Sequence, residues 1–219
     1  MKTIYVEGGP EAFEDLHDKE WIESVISIID GTNIEKVTDE FLAHWWGTSR
    51  AFLLPALLVD GVYSAASQGN PEFPISKDSL WEQYLNINAF KGALWKSSES
   101  SYCSIYYAYE NLILGVVTEI TGRSLRITDK TFNSEFIGVF GESLMGRVWT
   151  SPALTTAKEI RHAIVHNGGK VTGRLDKMQK KPLIENGDVL ISASDMRSLF
   201  KYLKPLVVEL LTEAVKKCS

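Results

Sequence analysis

Residues 161–169 read RHAIVHNGG, the pattern of a helix that ends in a glycine pair. This stretch closes a helical run that begins near Thr155, because glycines commonly follow the left-handed end of a helix. At ~100° per residue, His162 and His166 lie on one face of the helix, and Arg161 lies about 140° from His166. The long arginine side chain can swing toward the histidines or toward a second molecule. A guanidinium and two imidazoles at one helix end suit phosphate recognition and proton transfer near neutral pH.

Apolar residues at helical spacing fill most of the chain on both sides of this stretch. The run Tyr102–Ile120 is apolar beyond one face, which is typical of a central helix or of a dimer interface. Asn186-Gly187 stands between two short apolar pieces and predicts a β-hairpin. Ser194 then predicts the cap of a closing helix over about 195–217. Together these patterns predict an all-α bundle with a small β-hairpin insert before the last helix.

Breaks in the apolar pattern predict where the other helices end. Pro55 is expected to kink or divide a helical run over 34–66. Four serines within 97–101 predict an interruption before the central helix. A loop rich in Gly and Pro suggests a division of the chain, with an N-terminal helical part over 1–75 that packs on or extends a bundle formed by 76–219.

The histidine-bearing helix also has a family resemblance. Arg161 and His166, with Asn167 and two glycines behind them, resemble the Arg-x(4–6)-His motif of the HEPN superfamily. The arginine of that motif is usually followed by Asn, Asp or His, and His162 occupies this position. The setting is similar too, because a late helix, a glycine end, a short β-prone excursion and one closing helix follow in order. The resemblance covers about residues 100–218, which makes 76–219 a HEPN-like bundle and leaves the first part of the chain unassigned.

The resemblance implies a fold, an activity and a set of roles. HEPN proteins are all-helical, and many are metal-independent ribonucleases in toxin–antitoxin, abortive-infection and RNA-processing systems. By resemblance, Arg161 and His166 are catalytic, His162 and Asn167 support them, and two motif helices face each other across a homodimer. An early core helix of the family often presents an acidic residue toward the motif, and Glu110 matches that residue. A capped or surface-facing Glu110 is the alternative.

The motif residues suit RNA cleavage without a metal ion. A base removes the 2′-OH proton, the oxygen attacks the adjacent phosphorus to give a 2′,3′-cyclic phosphate, and an acid protonates the leaving 5′ oxygen. An imidazole exchanges protons near neutral pH, which suits His166 to either role. Arg161 can bind the phosphate bidentately and offset the charge of the transition state. This chemistry suits an endoribonuclease, and the resemblance implies one of toxin, defence or stress type.

The expected partners are RNA, a second copy of the chain, and an antitoxin or another regulatory protein. The main alternative is a HEPN module without catalytic activity that binds RNA, a nucleotide or a protein partner. Such a module would carry the same motif, because the motif does not prove turnover.

The distribution of charge favours a nucleic-acid partner, although the net charge is −5. Residues 158–181 hold seven Lys and Arg residues against two carboxylates, a local charge of +5, so the rest of the chain carries −10. A basic patch on an acidic body can hold a phosphate backbone locally. A solvated, lysine-rich loop is the alternative. The cations predicted to bind RNA are Lys170, Arg174, Lys177, Lys180 and Lys181.

Two other interpretations of the motif remain open. His162 and His166 have the spacing of zinc ligands, but residue 163 is Ala where the acid of His-Glu-x-x-His would stand, and no nearby cysteine completes a closed site. Neither a metal nor a cofactor is therefore expected. In the second interpretation, Arg161 and the histidines cap a helix end and pair with carboxylates, which is a purely structural role.

The two cysteines, Cys103 and Cys218, lack metal-ligand spacing and favour a reducing compartment. The N-terminal residues turn polar too early for a signal peptide. The longest apolar run, Ala51–Val59, is broken by Pro55 and is too short to cross a bilayer. The protein is therefore expected in the cytoplasm, without a membrane partner.

Overall fold

The described part of the chain is helical apart from one short hairpin. The computed structural model describes residues 18–67, 87–127 and 130–218, with side chains described for 18–52, 95–127 and 131–218. In chain order the elements are α1 (Lys19–Ile29), α2 (Glu35–Ser67), α3 (Ile87–Thr121), α4 (Lys130–Val148), α5 (Pro152–His166), α6 (Gly173–Asp176), β1 (Leu183–Glu185), β2 (Asp188–Leu190) and α7 (Ala193–Val215). The predicted all-α fold with a small β-hairpin before the last helix is confirmed. None of the described helices combines the length and apolar content that a bilayer crossing requires.

Helix α3 is central, and α2, α4, α5 and α7 all pack against it. Its buried side chains lie on several faces and include Ile105, Tyr106, Tyr109, Leu112, Ile113, Val116 and Val117. The interruption predicted at the serine run 97–101 is wrong, because α3 continues from Ile87 to Thr121. Ser98 and Ser101 are buried in this part of the helix. Tertiary packing therefore keeps residues of modest helix propensity helical.

Helix α2 is a single helix of 33 residues that contains Pro55. Of the two predicted effects of Pro55, a kink or a division, the division is therefore wrong. The helix approaches α3 closely at Gly115, where an added Cβ would overlap Cγ2 of Val37. Glycine is required at this position because any side chain would overlap the neighbouring helix.

Trp45 of α2 connects the N-terminal helices to the rest of the bundle. Its buried ring lies 4.6 Å, centroid to centroid, from both Trp21 of α1 and Phe200 of α7. Aromatic pairs at this distance stabilise a core beyond the area they bury. Residues 18–52 therefore contribute to the same core as α3 and α7. The division predicted between residues 75 and 76 lies outside the described residues.

Glycines shape the elements on either side of the motif helix α5. Gly141 has φ 83° and ψ 161°, so it interrupts the helical geometry of α4. Asn186 and Gly187 have φ values of 52° and 80°, the left-handed pair that a two-residue hairpin turn requires. They join β1 to β2 in an antiparallel pair. The hairpin predicted from Asn186-Gly187 is confirmed.

The closing helix α7 begins earlier than predicted. Ser192, not Ser194, is its N-cap, and the Ser192 hydroxyl accepts a hydrogen bond from the Asp195 amide. The Asp195 carboxylate in turn accepts one from the Ser192 amide, 2.8 Å away. This reciprocal arrangement satisfies two amides that otherwise lack partners at a helix start. The acidic residue three positions after Ser192 therefore determines the cap.

Candidate active site

Helix α5 carries the motif and is anchored at both ends. It begins at Pro152 with Ser151 as N-cap, earlier than the predicted start near Thr155. Proline is favourable in the first turn of a helix, because the amide that it lacks would have no partner there. At the other end Gly168 and Gly169 have φ values of 60° and 82°, which confirms the predicted left-handed end. The buried residues of α5 are Leu154, Ala157, Glu159, Ile160 and Ala163.

Arg161 faces the central helix α3. Its Nη1 atom lies 3.4 Å from Oε2 of Glu110, and the two side chains are 25% and 7% exposed. The guanidinium carbon also lies 5.5 Å from the centroid of the Tyr107 ring, within cation–π distance. Glu110 therefore faces the motif helix, as the resemblance implied. Arg161 keeps a partly exposed edge that a second ligand can reach.

Burial dominates the electrostatics of this contact. Burial raises the pKa of Glu110, and the nearby positive charges of Arg161 and Lys158 oppose the rise. Cys103, two turns earlier on α3, is half-buried, and burial raises the pKa of its thiol to about 11 against the influence of Arg161. The raised pKa disfavours the thiolate form that a nucleophilic cysteine requires.

The two histidines lie side by side on the exposed surface of α5. The ring centroids of His162 and His166 are 5.1 Å apart, with 44° between the ring planes. Neither imidazole forms a hydrogen bond or an ion pair with any residue in the described part of the chain. Both rings are exposed. The fold therefore brings the two histidines together, and it pairs Arg161 with Glu110 rather than with either imidazole.

Asn167 is the C-cap of α5 and holds the turn that follows it. Its backbone amide donates to the carbonyl of Ala163. Its side-chain amide donates to the carbonyl of Lys170, at 2.9 Å. The Gly169 amide donates to the same Ala163 carbonyl, at 3.0 Å. Asn167 therefore supports the position of His166 through the backbone of the turn.

The predicted RNA-binding cations divide into paired and unpaired groups. The paired cations are Lys170, 2.6 Å from Asp188, Arg174, 3.2 Å from Glu159, and Lys181, 2.6 Å from Asp176. Lys177 and Lys180 are exposed and form no ion pair with another described residue. Part of the positive charge thus serves to hold residues 170–181, the basic segment, to the rest of the molecule. Lys177 and Lys180 are the cations most available to a phosphate backbone.

Two residues of this site were not identified from the sequence. Tyr107 precedes Glu110 by three positions and so lies on nearly the same face of α3. Glu159 is buried in the motif helix and pairs with Arg174 of the basic segment. A buried carboxylate requires a partner, but the sequence around Glu159 does not reveal which cation pairs with it. The spacing of Tyr107 from Glu110 is a signal that the sequence did contain.

A metal centre at the histidine pair lacks further ligands in the described residues. No group of three or more His, Cys, Asp or Glu side chains there could hold a metal ion. The chemistry available is that of two exposed imidazoles and an arginine held by a buried carboxylate. Comparisons with protein-family models, with curated proteins and with solved structures found no match to this chain.

Proposed function

We propose that this protein is a metal-independent endoribonuclease of the HEPN type that acts as a homodimer. The observation that carries the proposal is the arrangement at the end of α5. Arg161 is held 3.4 Å from the buried Glu110, while His162 and His166 are exposed on the same helix with ring centroids 5.1 Å apart. Cleavage through the 2′-OH needs an oriented cation and unrestrained proton-transfer groups of these kinds.

Each residue has a defined role in this proposal. Arg161 binds the scissile phosphate with the edge of its guanidinium that Glu110 leaves open, and it stabilises the negative charge of the transition state. His166 removes the 2′-OH proton or protonates the leaving 5′ oxygen, and His162 supplies or orients the second proton-transfer group. Asn167 keeps the turn in place through its bond to the Lys170 carbonyl.

The separation of Arg161 from the histidines favours a composite site. Arg161 points toward α3, whereas His162 and His166 face solvent. Val165 follows Arg161 by one turn and is 51% exposed, although it is aliphatic. A two-fold contact beside α5 would cover Val165 and bring the arginine of one copy toward the histidines of the other. Isologous contacts of this kind are the commonest in homodimers.

The basic segment supplies electrostatic attraction for the RNA strand. Lys177 and Lys180 are exposed and lack ion-pair partners among the described residues. Unpaired lysines release counterions when they meet phosphates, which gives binding its salt dependence. Lys170, Arg174 and Lys181 contribute less in this proposal because each is already paired with a carboxylate.

The experiment is an assay of the purified full chain on total RNA in excess EDTA. We expect cleavage to continue and the products to carry 2′,3′-cyclic phosphates, detected because they can be ligated only after end repair. His166→Ala and Arg161→Ala should each reduce the rate by ~10²–10⁴-fold. Arg123→Ala is the matched control, since Arg123 is an exposed arginine that pairs with Glu135 on the surface. Loss of cleavage in EDTA, or full activity of His166→Ala, would contradict the proposal.

The dimer is tested by mixing inactive subunits. If one site draws its arginine and histidine from different chains, heterodimers of Arg161→Ala and His166→Ala should recover part of the activity. If each site uses the pair of one chain, mixing restores nothing. A wild-type monomer at micromolar concentration that is fully active would exclude the dimer requirement. RNA that binds tightly but is never cut would favour the HEPN module without catalytic activity.

A further inference from the structure

A cleft of about 430 Å³ opens between α2 and α3. Its volume lies within the range of pockets that bind small molecules, and it is large enough for one nucleoside. The inner part is apolar, since Phe41, Ala108 and Leu112 line it and all three are buried. Val37 and Gly115 also line the cleft, and Cγ2 of Val37 fills the space that a Cβ on Gly115 would occupy. A flat, apolar ligand can therefore lie against this surface.

The rim of the cleft carries hydrogen-bonding groups without a positive charge. Glu40 and His44 lie one turn apart on α2, and Asn111 faces them from α3. None of the described residues that line the cleft is Lys or Arg. The His44 ring is oriented, because its Nε2 atom lies 2.7 Å from Oγ of Ser104. A carboxylate, an imidazole and an amide suit an uncharged, planar ligand that presents N–H donors, and the carboxylate disfavours a phosphate.

The cleft adjoins the Arg161 site through α3. Asn111 directly follows Glu110 in sequence, and Tyr107 lies about 60° from Glu110 and about 40° from Asn111 around the helix. The Tyr107 ring is 48% exposed and lies next to the Arg161 guanidinium. An exposed aromatic ring thus lies between the arginine and the cleft. Aromatic side chains in this setting stack on nucleobases.

We infer that the cleft is a base-recognition subsite for the RNA strand whose phosphate meets Arg161. The strand passes over Tyr107, which stacks on one base, and places the neighbouring base in the cleft between Phe41 and Asn111. The link between this subsite and Arg161 rests on the proposed ribonuclease function, whereas the affinity of the subsite for a base does not. Adenine, guanine and cytosine carry an exocyclic amine that donates to the Glu40 carboxylate, whereas the one N–H of the uracil base lies between two carbonyl oxygens that repel a carboxylate. The subsite therefore favours these three bases over uracil.

The first experiment measures binding without cleavage. The full-length wild-type chain is titrated with adenosine, guanosine, cytidine and uridine, and chemical-shift changes are followed at His44 and at the Asn111 side-chain amide. We expect uridine to bind most weakly, and Glu40→Gln and Asn111→Ala each to weaken the best nucleoside by about 5- to 150-fold. Asp39→Asn is the matched control, because Asp39 is exposed on the same helix but does not line the cleft. No shift with any nucleoside, or equal binding by all variants, would overturn the inference.

The second experiment measures base preference during cleavage. Sequencing of the RNA ends left by the wild type should show a preference against uracil beside the cut, and Glu40→Gln should remove it while Asp39→Asn keeps it. Cleavage without any base preference would overturn the subsite even if the ribonuclease is real. Nucleoside binding that depends on Glu40, in a protein that cuts no RNA, would support the subsite and reject the proposed ribonuclease.

Discussion

Replacement of Arg161 by alanine removes the cation that faces Glu110 across the α3–α5 contact. The Glu110 side chain is 7% exposed, the Arg161 side chain is 25% exposed, and their charged atoms lie 3.4 Å apart. Loss of one partner from a fully buried pair costs ~3–5 kcal/mol, whereas an exposed pair contributes ~0–1 kcal/mol. Because this pair is intermediate, we expect the free energy of unfolding to fall by ~1–3 kcal/mol. For a chain of this length, Tm should fall by about 2–12 °C.

The pH dependence of this loss follows from Glu110. Burial raises the pKa of Glu110 above its ordinary value of 4.5, and Arg161 opposes that rise. A group whose folded pKa is raised stabilises the fold fully below its unfolded pKa, and this contribution is lost as pH rises through the folded pKa. Without Arg161 the pKa of Glu110 in the folded protein rises further, so the variant loses more stability than the wild type as the pH increases above 4.5. The variant should therefore match the wild type most closely near about pH 4 and fall behind at about pH 8.

The assay is urea denaturation of the wild type, Arg161→Ala, Glu110→Gln and the double variant. All four are compared at one protein concentration, because a dimer makes stability depend on concentration. The double variant should lose less free energy of unfolding than the two single variants lose together, and the difference, the coupling free energy, should be ~1–2 kcal/mol. His166→Ala, at an exposed residue, should lie within ~0.5 kcal/mol of the wild type. An Arg161→Ala midpoint equal to that of the wild type, or a coupling below ~0.3 kcal/mol, would refute the assigned role of the pair.

Three further predictions concern other parts of the molecule. Gly115→Ala should lower the free energy of unfolding by ~1–3 kcal/mol, because its Cβ would overlap Val37. Val37→Ala in the same chain should recover much of that loss. A Tm of the single variant equal to that of the wild type would contradict the close contact. Burial raises the pKa of the Cys103 thiol to about 11. In a folded Cys218→Ser variant, Cys103 should therefore be alkylated slowly at neutral pH and faster as the pH approaches 11. Rapid labelling at neutral pH would show instead that the thiol is activated. Changing Lys177 and Lys180 together to Gln should reduce the slope of log affinity for single-stranded RNA against log salt by about 1.4, and an unchanged slope would mean that these lysines only solvate the loop.

The elements that could be predicted from the sequence depend on local backbone chemistry. The end of α5 follows from Gly168 and Gly169, and the hairpin turn follows from Asn186-Gly187, because few residues other than glycine and asparagine tolerate a positive φ. The central position of α3 follows from an apolar pattern that covers more than one face. In each case the signal lies within a few residues of the structure it determines.

The error at the serine run arose where contacts between distant residues outweigh local preference. The serines of 97–101 suggest a break, but Ser98 and Ser101 are buried and the helix continues through them. Pro55 is expected to kink or divide its helix, and the division is wrong because α2 extends from Glu35 to Ser67. The helix propensity of serine differs from that of the best helix formers by less than ~1 kcal/mol, so the packing of neighbouring helices can override it.

The candidate site divides in the same way. Helical periodicity alone places His162 beside His166 and turns Arg161 away from them, because the angle per residue is constant. Only the packing of α5 on α3 supplies Glu110 as the partner of Arg161, since the two residues lie on different helices. The net charge of the basic segment can be counted from the sequence, but which of its cations are paired with carboxylates cannot. Arg174 pairs with Glu159 through the folded arrangement of two elements, and an ion pair depends on distance in space rather than on separation in sequence.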